Sequence, residues 1–268
     1  MVTKNDIFKL FLECGIKKDD KVAVHSALRS VGEIEGGADV LIDAMKEYLS
    51  EGLLIIPTHT WNNVTRNTPV FDVRKTEPCI GALPFVAAFR KDGVRSQHPT
   101  HSVAVFGKGA EEYIAAEGES KTPAPVNGWM SRFCKDKGKI LLLGVGQDKN
   151  TFIHWAEERI DVPDRISKKP YDVTVIDKYG NSHIIENLCS HHTEALNGES
   201  CSVYYPNYEK PFAYHNAIIY SHLGDARVSC CDAFKITKIV EELWKRTDHD
   251  LCISNDEIPI EYYKDVKF

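Results

Sequence analysis

The sequence predicts an α/β protein with a central, mostly parallel sheet, helices on both of its faces and a smaller insertion that contains a β-hairpin. Up to residue 162, short apolar runs alternate with stretches of helical periodicity. After residue 163 the pattern changes to strands in which polar and apolar residues alternate. We therefore divide the chain into a core at 1–162, an insertion at 163–226 and a C-terminal part at 227–268 that completes the core.

The predicted core strands are short and almost entirely apolar, as expected where helices cover both faces of a sheet. The clearest are residues 21–26, 53–56, 103–106 and 139–145. Two of them run into polar residues, at His25-Ser26 and at Thr58-His59-Thr60. Ligands of α/β proteins bind at the carboxyl edge of the sheet, so these strand ends are candidates for a binding site.

Helices are predicted where apolar residues recur at three- and four-residue spacing. They cover residues 4–15, a stretch that opens at Asp39, residues 81–91, a stretch that begins at Phe152, and residues 231–246. Asn150 or Thr151 is expected to cap the fourth of these. In the insertion, residues 171–176 and 182–186 predict the hairpin, whereas 187–216 are irregular.

Composition narrows the class of protein. The formal charge of the 268 residues is −6 and no basic stripe is present, which argues against a nucleic-acid partner. No apolar run approaches the ~20 residues of a membrane span, and the start lacks the features of a signal peptide, so we expect a cytoplasmic protein with no membrane partner. The eight cysteines form no CxxC pair and are expected to be free thiols.

We expect no metal site. Only one cluster brings several ligand types together, and it consists of His191 and His192 with Cys189 and Glu194. Adjacent side chains point apart in most backbones, which argues against a shared ion.

Three motifs carry chemistry. The loop from His25 to Gly37 combines small hydroxyl residues, Arg29 and glycines, which suits a phosphate, although an ordinary strand–helix link would look similar. The polar loop 94–104 is dense in hydrogen-bond donors, although its two histidines could be solvated and inert.

In the third motif, His154 lies in the first turn of a helix, with Glu157 and Glu158 on the same face. A carboxylate that orients an imidazole makes it a better base. The alternative is a His–Glu pair that only steadies the helix start.

The chain resembles the aminoglycoside 3-N-acetyltransferase family in four blocks that keep the family's order and approximate spacing. They are HSALRSVG followed by GG (25–37), IIPTHT (55–60), FDVRKTEPCIGALPFVAAFRKDGVRSQHPTHSVAVFG (71–107) and KILLLGVGQDKNTFIHWAE (139–157). The resemblance covers about residues 20–160 and is weak through 163–225, where this family is expected to select its substrate. Ala27 stands where the family has a serine, so one hydroxyl is missing from the first loop.

The resemblance implies acetyl-CoA as co-substrate, held by the first two motifs. The acetyl-CoA contacts that it assigns are His25, Ser26, Ala27, Leu28, Arg29, Ser30 and Gly32 in the first loop, and Arg95, Ser96, His98, Ser102 and Val103 in the second. Asn150, Thr151 and His154 match the segment with the catalytic imidazole. We assign Thr58, Trp61 and Asp72 to the amine acceptor, and Thr58 or Ser102 to the oxyanion.

The implied reaction is direct transfer of an acetyl group to an amine, the 3-amino group of an aminoglycoside, with His154 as general base oriented by Glu157 or Glu158. The sequence has neither a GxSxG elbow nor a cysteine beside a histidine, which argues against a covalent intermediate. Two alternatives stay open: a relative that acts on another amine, and one that binds coenzyme A without catalysis. A homodimer also stays open.

Overall fold

The computed structural model describes every residue from Met1 to Phe268. The strands are β1 Lys21–Ser26, β2 Leu53–Pro57, β3 Val70–Asp72, β4 Val94–Arg95, β5 Val103–Phe106, β6 Lys139–Leu143, β7 Tyr171–Ile176, β8 Ser182–Leu188, β9 Ile218–Leu223 and β10 Ala226–Asp232. The helices are α1 Lys4–Glu13, α2 Leu28–Val31, α3 Gly37–Tyr48, α4 Ala82–Phe89, α5 Ala110–Tyr113, α6 Trp129–Lys135, α7 Thr151–Glu158, α8 Glu209–Tyr214 and α9 Ala233–Arg246.

A seven-stranded sheet with the order β4-β5-β2-β1-β6-β10-β9 forms the centre of the protein. Strands β2, β1 and β6 pair in parallel, while β5 and β10 run antiparallel to their neighbours. Five of the seven strands therefore point the same way, and the predicted mostly parallel sheet is confirmed.

Both faces of this sheet are covered, because alternate residues of each central strand enter different apolar clusters. In β1, Ala23 packs with α6, α7 and α9, while Val22 and Val24 pack with α1, α3 and α4. The continuous apolar runs that predicted buried strands are explained by this double covering.

The sheet brings the predicted polar segments to one edge. The carboxyl ends of β1, β2 and β6 lie together because these strands are parallel. Strand β5 runs the other way, with Val103 opposite Pro57, so the loop before it reaches the same edge. The segments around His25, His59, His101 and His154 therefore surround one region.

The insertion supplies two strands of a three-stranded sheet of order β3-β7-β8, whose third strand β3 comes from the predicted core at 1–162, and this sheet has its own small core around Phe71, Val173 and Val175. Its β7–β8 hairpin confirms the predicted one. Strand β9 falls inside the predicted insertion at 163–226 and yet pairs with β10 in the central sheet. Buried and exposed residues do not alternate regularly in β9, so the sequence did not indicate that this strand belongs to the central sheet.

The segment 187–216, which the sequence left irregular, contains a 3₁₀ helix at Cys201–Tyr208 and the short helix α8. None of the helices in the structure combines the length and the apolar character needed to cross a bilayer.

Candidate functional site

His154 sits at the sheet edge in the first turn of α7, which follows β6 through residues 144–150. Asn150 caps this helix by accepting a hydrogen bond from the amide of Phe152, as predicted. The turn after β6 requires glycine at position 144: its φ is +67°, and a Cβ there would lie 1.8 Å from Oγ of Ser30. The loop after β1 and the approach to α7 are thereby packed against each other.

The partner of the His154 imidazole is a phenol. The hydroxyl of Tyr205 lies 2.6 Å from Nδ1 of His154 and donates to Oε2 of Glu157 over 2.9 Å. All three side chains are buried. The expected direct contact between His154 and a carboxylate is therefore absent, because Tyr205 from the 3₁₀ helix lies between them.

Glu157 is the carboxylate in this network. Besides Tyr205 it accepts hydrogen bonds from Tyr208 over 2.8 Å and from Nε of Arg165 over 2.7 Å. Arg165 in turn makes a two-pronged ion pair with Asp250, at 2.9 and 2.8 Å. A buried charge needs this kind of pairing and hydrogen bonding, and here the guanidinium supplies it.

Glu158 does not belong to this network. It accepts a hydrogen bond from the hydroxyl of Thr122. Burial raises the pKa of Glu158 to about 7. Of the two glutamates that the sequence offered as the orienting group, only Glu157 reaches His154, and it does so through Tyr205.

A cluster of imidazoles lies around His154. The ring of His191 stacks on His154 with centroids 3.7 Å apart, and His101 lies 5.1 Å from His191 and 4.6 Å from His59. His98 is 5.8 Å from His101. We call these five residues the imidazole cluster. Its members come from four separate parts of the chain.

Burial keeps the imidazole cluster neutral. The pKa of His154 is lowered to about 3, first by burial and then by the charge of Arg165 and by His59. Burial likewise lowers the pKa of His98 to about 4 and holds the pKa values of His59, His101 and His191 well below their ordinary value. A neutral imidazole has a free lone pair, and Nε2 of His154 makes no hydrogen bond within the chain.

The side chains of the second loop, which is predicted to contact acetyl-CoA, are hydrogen-bonded internally. Arg95 is 8% exposed and donates to the backbone carbonyls of Thr58, Val73 and Thr76. Ser96, Ser102 and Val103 are buried, and the two serines are hydrogen-bonded within the loop and to Thr58. Internal acceptors satisfy the donors that the sequence presented as ligand contacts.

His98 is held in the same way. Its Nδ1 accepts from the amides of Thr100 and His101, so its Nε2 carries the proton that is donated to the carbonyl of Thr122. Both nitrogens of the ring are thus occupied, and the residue shapes the loop from inside.

The first loop differs because it is open to solvent. Arg29 and Gly32 are exposed, Ala27, Leu28 and Ser30 are half-buried, and the Oγ of Ser26 is buried without a hydrogen-bond partner. His25 is buried, which lowers its pKa to about 4. An unpartnered buried hydroxyl beside an exposed cation fits a ligand that carries phosphates and hydrogen-bonding groups.

Of the three residues assigned to the acceptor, only Trp61 is available, at 51% exposed. Thr58 is fully buried, with its hydroxyl 2.8 Å from that of Ser102, so neither hydroxyl is free to donate to an oxyanion. Asp72 is paired with Arg74 through two side-chain hydrogen bonds. These pairings explain why the side chains of Thr58 and Asp72 are turned to partners inside the protein.

Two groups of side chains have metal-ligand spacing. In one, the ligand atoms of His154, Glu157 and Cys201 lie within 4.8 Å of one another. Tyr205 and Arg165 already engage this imidazole and this carboxylate, and burial raises the pKa of the Cys201 thiol to about 12, which opposes thiolate formation. This group is better described as a hydrogen-bond network.

The other group is Asp164, His192 and Glu194, on the surface of the insertion. His191, which precedes His192 in the sequence, stacks on His154, so the side chains of the two adjacent histidines point apart.

The sequence missed Tyr205, His59 and His191 as members of the site. Tyr205 and His191 lie in the segment without periodicity, more than 35 residues from His154. The single sequence signal for His59 was its place just after β2, at the carboxyl edge of the sheet.

The fold and the site define an α/β protein that holds a neutral, buried imidazole at the carboxyl edge of its sheet, beside an open loop suited to phosphates. The chain belongs to the aminoglycoside 3-N-acetyltransferase family, whose sequence profile matches residues 23–245. It is 28% identical over 180 residues to aminoglycoside N(3)-acetyltransferase IX of Micromonospora chalcea, an alignment that covers 60% of this chain and 63% of that protein. The aligned region thus spans under two thirds of that relative.

Solved structures share the fold at low identity. A structure of AAC-IIIb with CoASH superposes with a TM-score of 0.76 at 21% identity, covering 92% of this chain and 98% of that one. A mutant of aminoglycoside acetyltransferase AAC(3)-IVa in complex with a gentamicin gives a TM-score of 0.76 at 20% identity, covering 95% of this chain and 97% of that one.

Proposed function

We propose that this protein transfers an acetyl group from acetyl-CoA to an amine, with His154 as general base and the 3-amino group of an aminoglycoside as the acceptor. The observation that carries the proposal is the neutral imidazole of His154, whose Nε2 is free while Nδ1 is held. Acetyl-CoA as the donor is supported by family membership and by the resemblance of the first loop to the family's acetyl-CoA segment.

The proposed step is an attack by a neutral amine on the thioester carbonyl. The amine nitrogen forms the new C–N bond, the C–S bond breaks, and the sulfur of coenzyme A leaves with the bonding electrons. Nε2 of His154 takes the proton that the nitrogen loses, and the sulfur is protonated afterwards. Because the hydroxyls of Thr58 and Ser102 are bonded to each other, backbone amides of the first loop are the proposed donors to the oxyanion.

The first loop is the proposed cradle for the phosphates and the pantetheine chain. Arg29 supplies an exposed cation, and the amides of Leu28 and Arg29 open α2 with no partner inside that helix. The side chains of the second loop are bonded internally, so the first loop is the proposed main contact for the coenzyme.

The test is release of coenzyme A thiol from acetyl-CoA in the presence of amines. The panel contains aminoglycosides with and without a free 3-amino group, plus simple primary amines. Thiol release that needs the 3-amino group, with product NMR placing the acetyl group there, supports the proposal. Thiol release with simple amines only would mean that the acceptor is not an aminoglycoside. No release, although calorimetry detects acetyl-CoA binding, would leave a non-catalytic relative.

A further inference from the structure

Tyr205 connects the imidazole of His154 to the carboxylate of Glu157. It is fully buried in the 3₁₀ helix at Cys201–Tyr208 and touches both His154 and Glu157 through a single hydroxyl. The chain of contacts continues from Glu157 to Arg165 and Asp250, at 2.7 to 2.9 Å. The imidazole is thus linked through one phenol to a carboxylate that is paired with Arg165.

Because the phenol of Tyr205 has a single proton, it can donate only one of its two hydrogen bonds, either to Glu157 or to His154. Glu157 faces the cation Arg165 and is an acceptor only, so the contact of 2.9 Å with Tyr205 is a hydrogen bond only if the phenol donates. The phenol oxygen then has to accept in its contact of 2.6 Å with Nδ1 of His154. The opposite arrangement, with the phenol donating to Nδ1, would leave two oxygen lone pairs facing each other at 2.9 Å inside the protein.

We propose that Tyr205 is a positioning residue that holds His154 in the tautomer with the proton on Nδ1 and so reserves Nε2 for the acceptor's proton. This inference rests on the proposed function, in which Nε2 is the base. When Nε2 takes a proton, Nδ1 keeps its own and the phenol keeps the one it donates to Glu157. The negative carboxylate of Glu157 then stabilises the imidazolium across the phenol, and no proton moves between His154, Tyr205 and Glu157.

Tyr208 is the matched control. Its hydroxyl donates to the other oxygen of the same carboxylate, over 2.8 Å, and accepts from the indole of Trp244. Tyr208→Phe therefore removes a buried hydroxyl from Glu157 without touching the imidazole, whereas Tyr205→Phe removes the imidazole's partner.

The first experiment reads the tautomer directly, by long-range ¹H–¹⁵N NMR of the full chain labelled at histidine, at about pH 7.5 and without ligands. His154→Asn identifies the signal. In the wild type and in Tyr208→Phe we expect a protonated Nδ1 and an unprotonated Nε2. In Tyr205→Phe we expect a mixture of tautomers. A wild-type protein that carries its proton on Nε2 overturns the proposal even if Tyr205→Phe does not fold.

The second experiment is kinetic, with acetyl-CoA and the best amine of the panel. Tyr205→Phe is expected to lower kcat ~10–100-fold while the KM for acetyl-CoA changes less than about twofold, the size of effect usual for the partner of a functional histidine. Tyr208→Phe is expected to lower kcat less. A folded Tyr205→Phe protein with wild-type kcat and an unchanged His154 tautomer overturns the proposal. If the wild type acetylates no amine, the proposed function fails, while the NMR result still decides the role of Tyr205.

Discussion

The imidazole rings of His154 and His191 lie almost flat against each other, with centroids 3.7 Å apart and planes 17° apart. His191 belongs to the segment that follows β8, where the insertion forms a bridge between Ile166 and His191. One residue of the insertion therefore covers one face of the proposed base. The part of the chain expected to select the substrate therefore also contributes to the burial of His154.

Removing this cover should raise the pKa of His154. Burial is the main cause of its low value, so His191→Ala, which admits water, should move it upward toward the ordinary value near ~6.5. His191→Phe keeps a flat ring in place and should leave the pKa low. An NMR titration of the His154 ring protons measures both. Equal pKa values in the two variants would show that stacking by His191 is not what excludes water.

The buried imidazoles should make the fold sensitive to mild acid. Burial lowers the pKa of six histidines below the ~6.5 of an unfolded chain, to about 4 for His25 and His98 and about 3 for His154, and well below the ordinary value for His59, His101 and His191. Below about pH 6.5 the unfolded chain therefore binds more protons than the folded one. The free energy of unfolding then falls as the pH falls.

Two carboxyl groups oppose this trend. Burial raises the pKa of Glu117 and Glu158 to about 7, so between about pH 4.5 and 7 the folded chain holds protons that the unfolded chain has lost. Six imidazoles outweigh two carboxyls, and each net proton changes the free energy of unfolding by about 1.4 kcal/mol per pH unit. Urea unfolding from about pH 8 to about pH 5 should therefore show a steep loss of stability.

His191→Phe should make this pH dependence shallower by about one proton, because it removes one buried imidazole. His183 is exposed, and His183→Asn is the control for the loss of a histidine outside the imidazole cluster. A free energy of unfolding that stays flat or rises as the pH falls across this range would contradict the expected loss of stability, and a rise would mean that the two carboxyl groups outweigh the buried imidazoles.

The sequence predicted the parts of the fold that are encoded locally. The apolar runs of β1, β2 and β6 and the Asn150 cap each depend on a few neighbouring residues, and the structure has them. Strand β9 was missed because Ile219 and Tyr220 face solvent, which leaves no clear alternation of apolar residues.

The candidate site was harder to predict because its partners are distant in sequence. The separation of 51 residues between His154 and Tyr205 is bridged only by the tertiary fold. The internal bonding of the loop around Arg95 was hard to predict for a different reason. A sequence shows that an arginine can donate several hydrogen bonds, but it does not show that the carbonyls of Thr58, Val73 and Thr76 will accept them.

Arg29 and Arg95 should therefore respond differently to substitution. Arg29 is exposed beside the first loop, so Arg29→Ala should weaken acetyl-CoA binding by ~3–10-fold, more at low salt than at high salt, with little change in Tm. Arg95→Lys cannot reproduce the fork of internal hydrogen bonds and should lower Tm, while the folded protein binds acetyl-CoA normally. Calorimetry and thermal unfolding of both variants decide this. The reverse outcome would place the coenzyme against the second loop.

The three side chains His154, Glu157 and Glu158 should separate into a base, a remote electrostatic partner and a bystander. His154→Ala should lower kcat by ~10²–10⁴-fold and leave the Kd for acetyl-CoA within about twofold, because a base acts on the amine's proton and not on the coenzyme.

Glu157→Gln removes the charge that reaches His154 through Tyr205 and leaves Arg165 with Asp250 alone, so it should cost ~10-fold in kcat and also lower Tm.

Glu158→Gln is the matched control on the same helix. Its carboxyl group is hydrogen-bonded to Thr122 and does not reach His154, and Gln keeps its size and hydrogen-bonding atoms, so the substitution should change kcat by less than about threefold. Steady-state kinetics with Tm measured alongside separates lost chemistry from a loosened fold. If Glu158→Gln proves as damaging to kcat as Glu157→Gln while remaining folded, the orienting carboxylate has been misassigned. If His154→Ala keeps full rate, the imidazole is structural and the base lies elsewhere in the imidazole cluster.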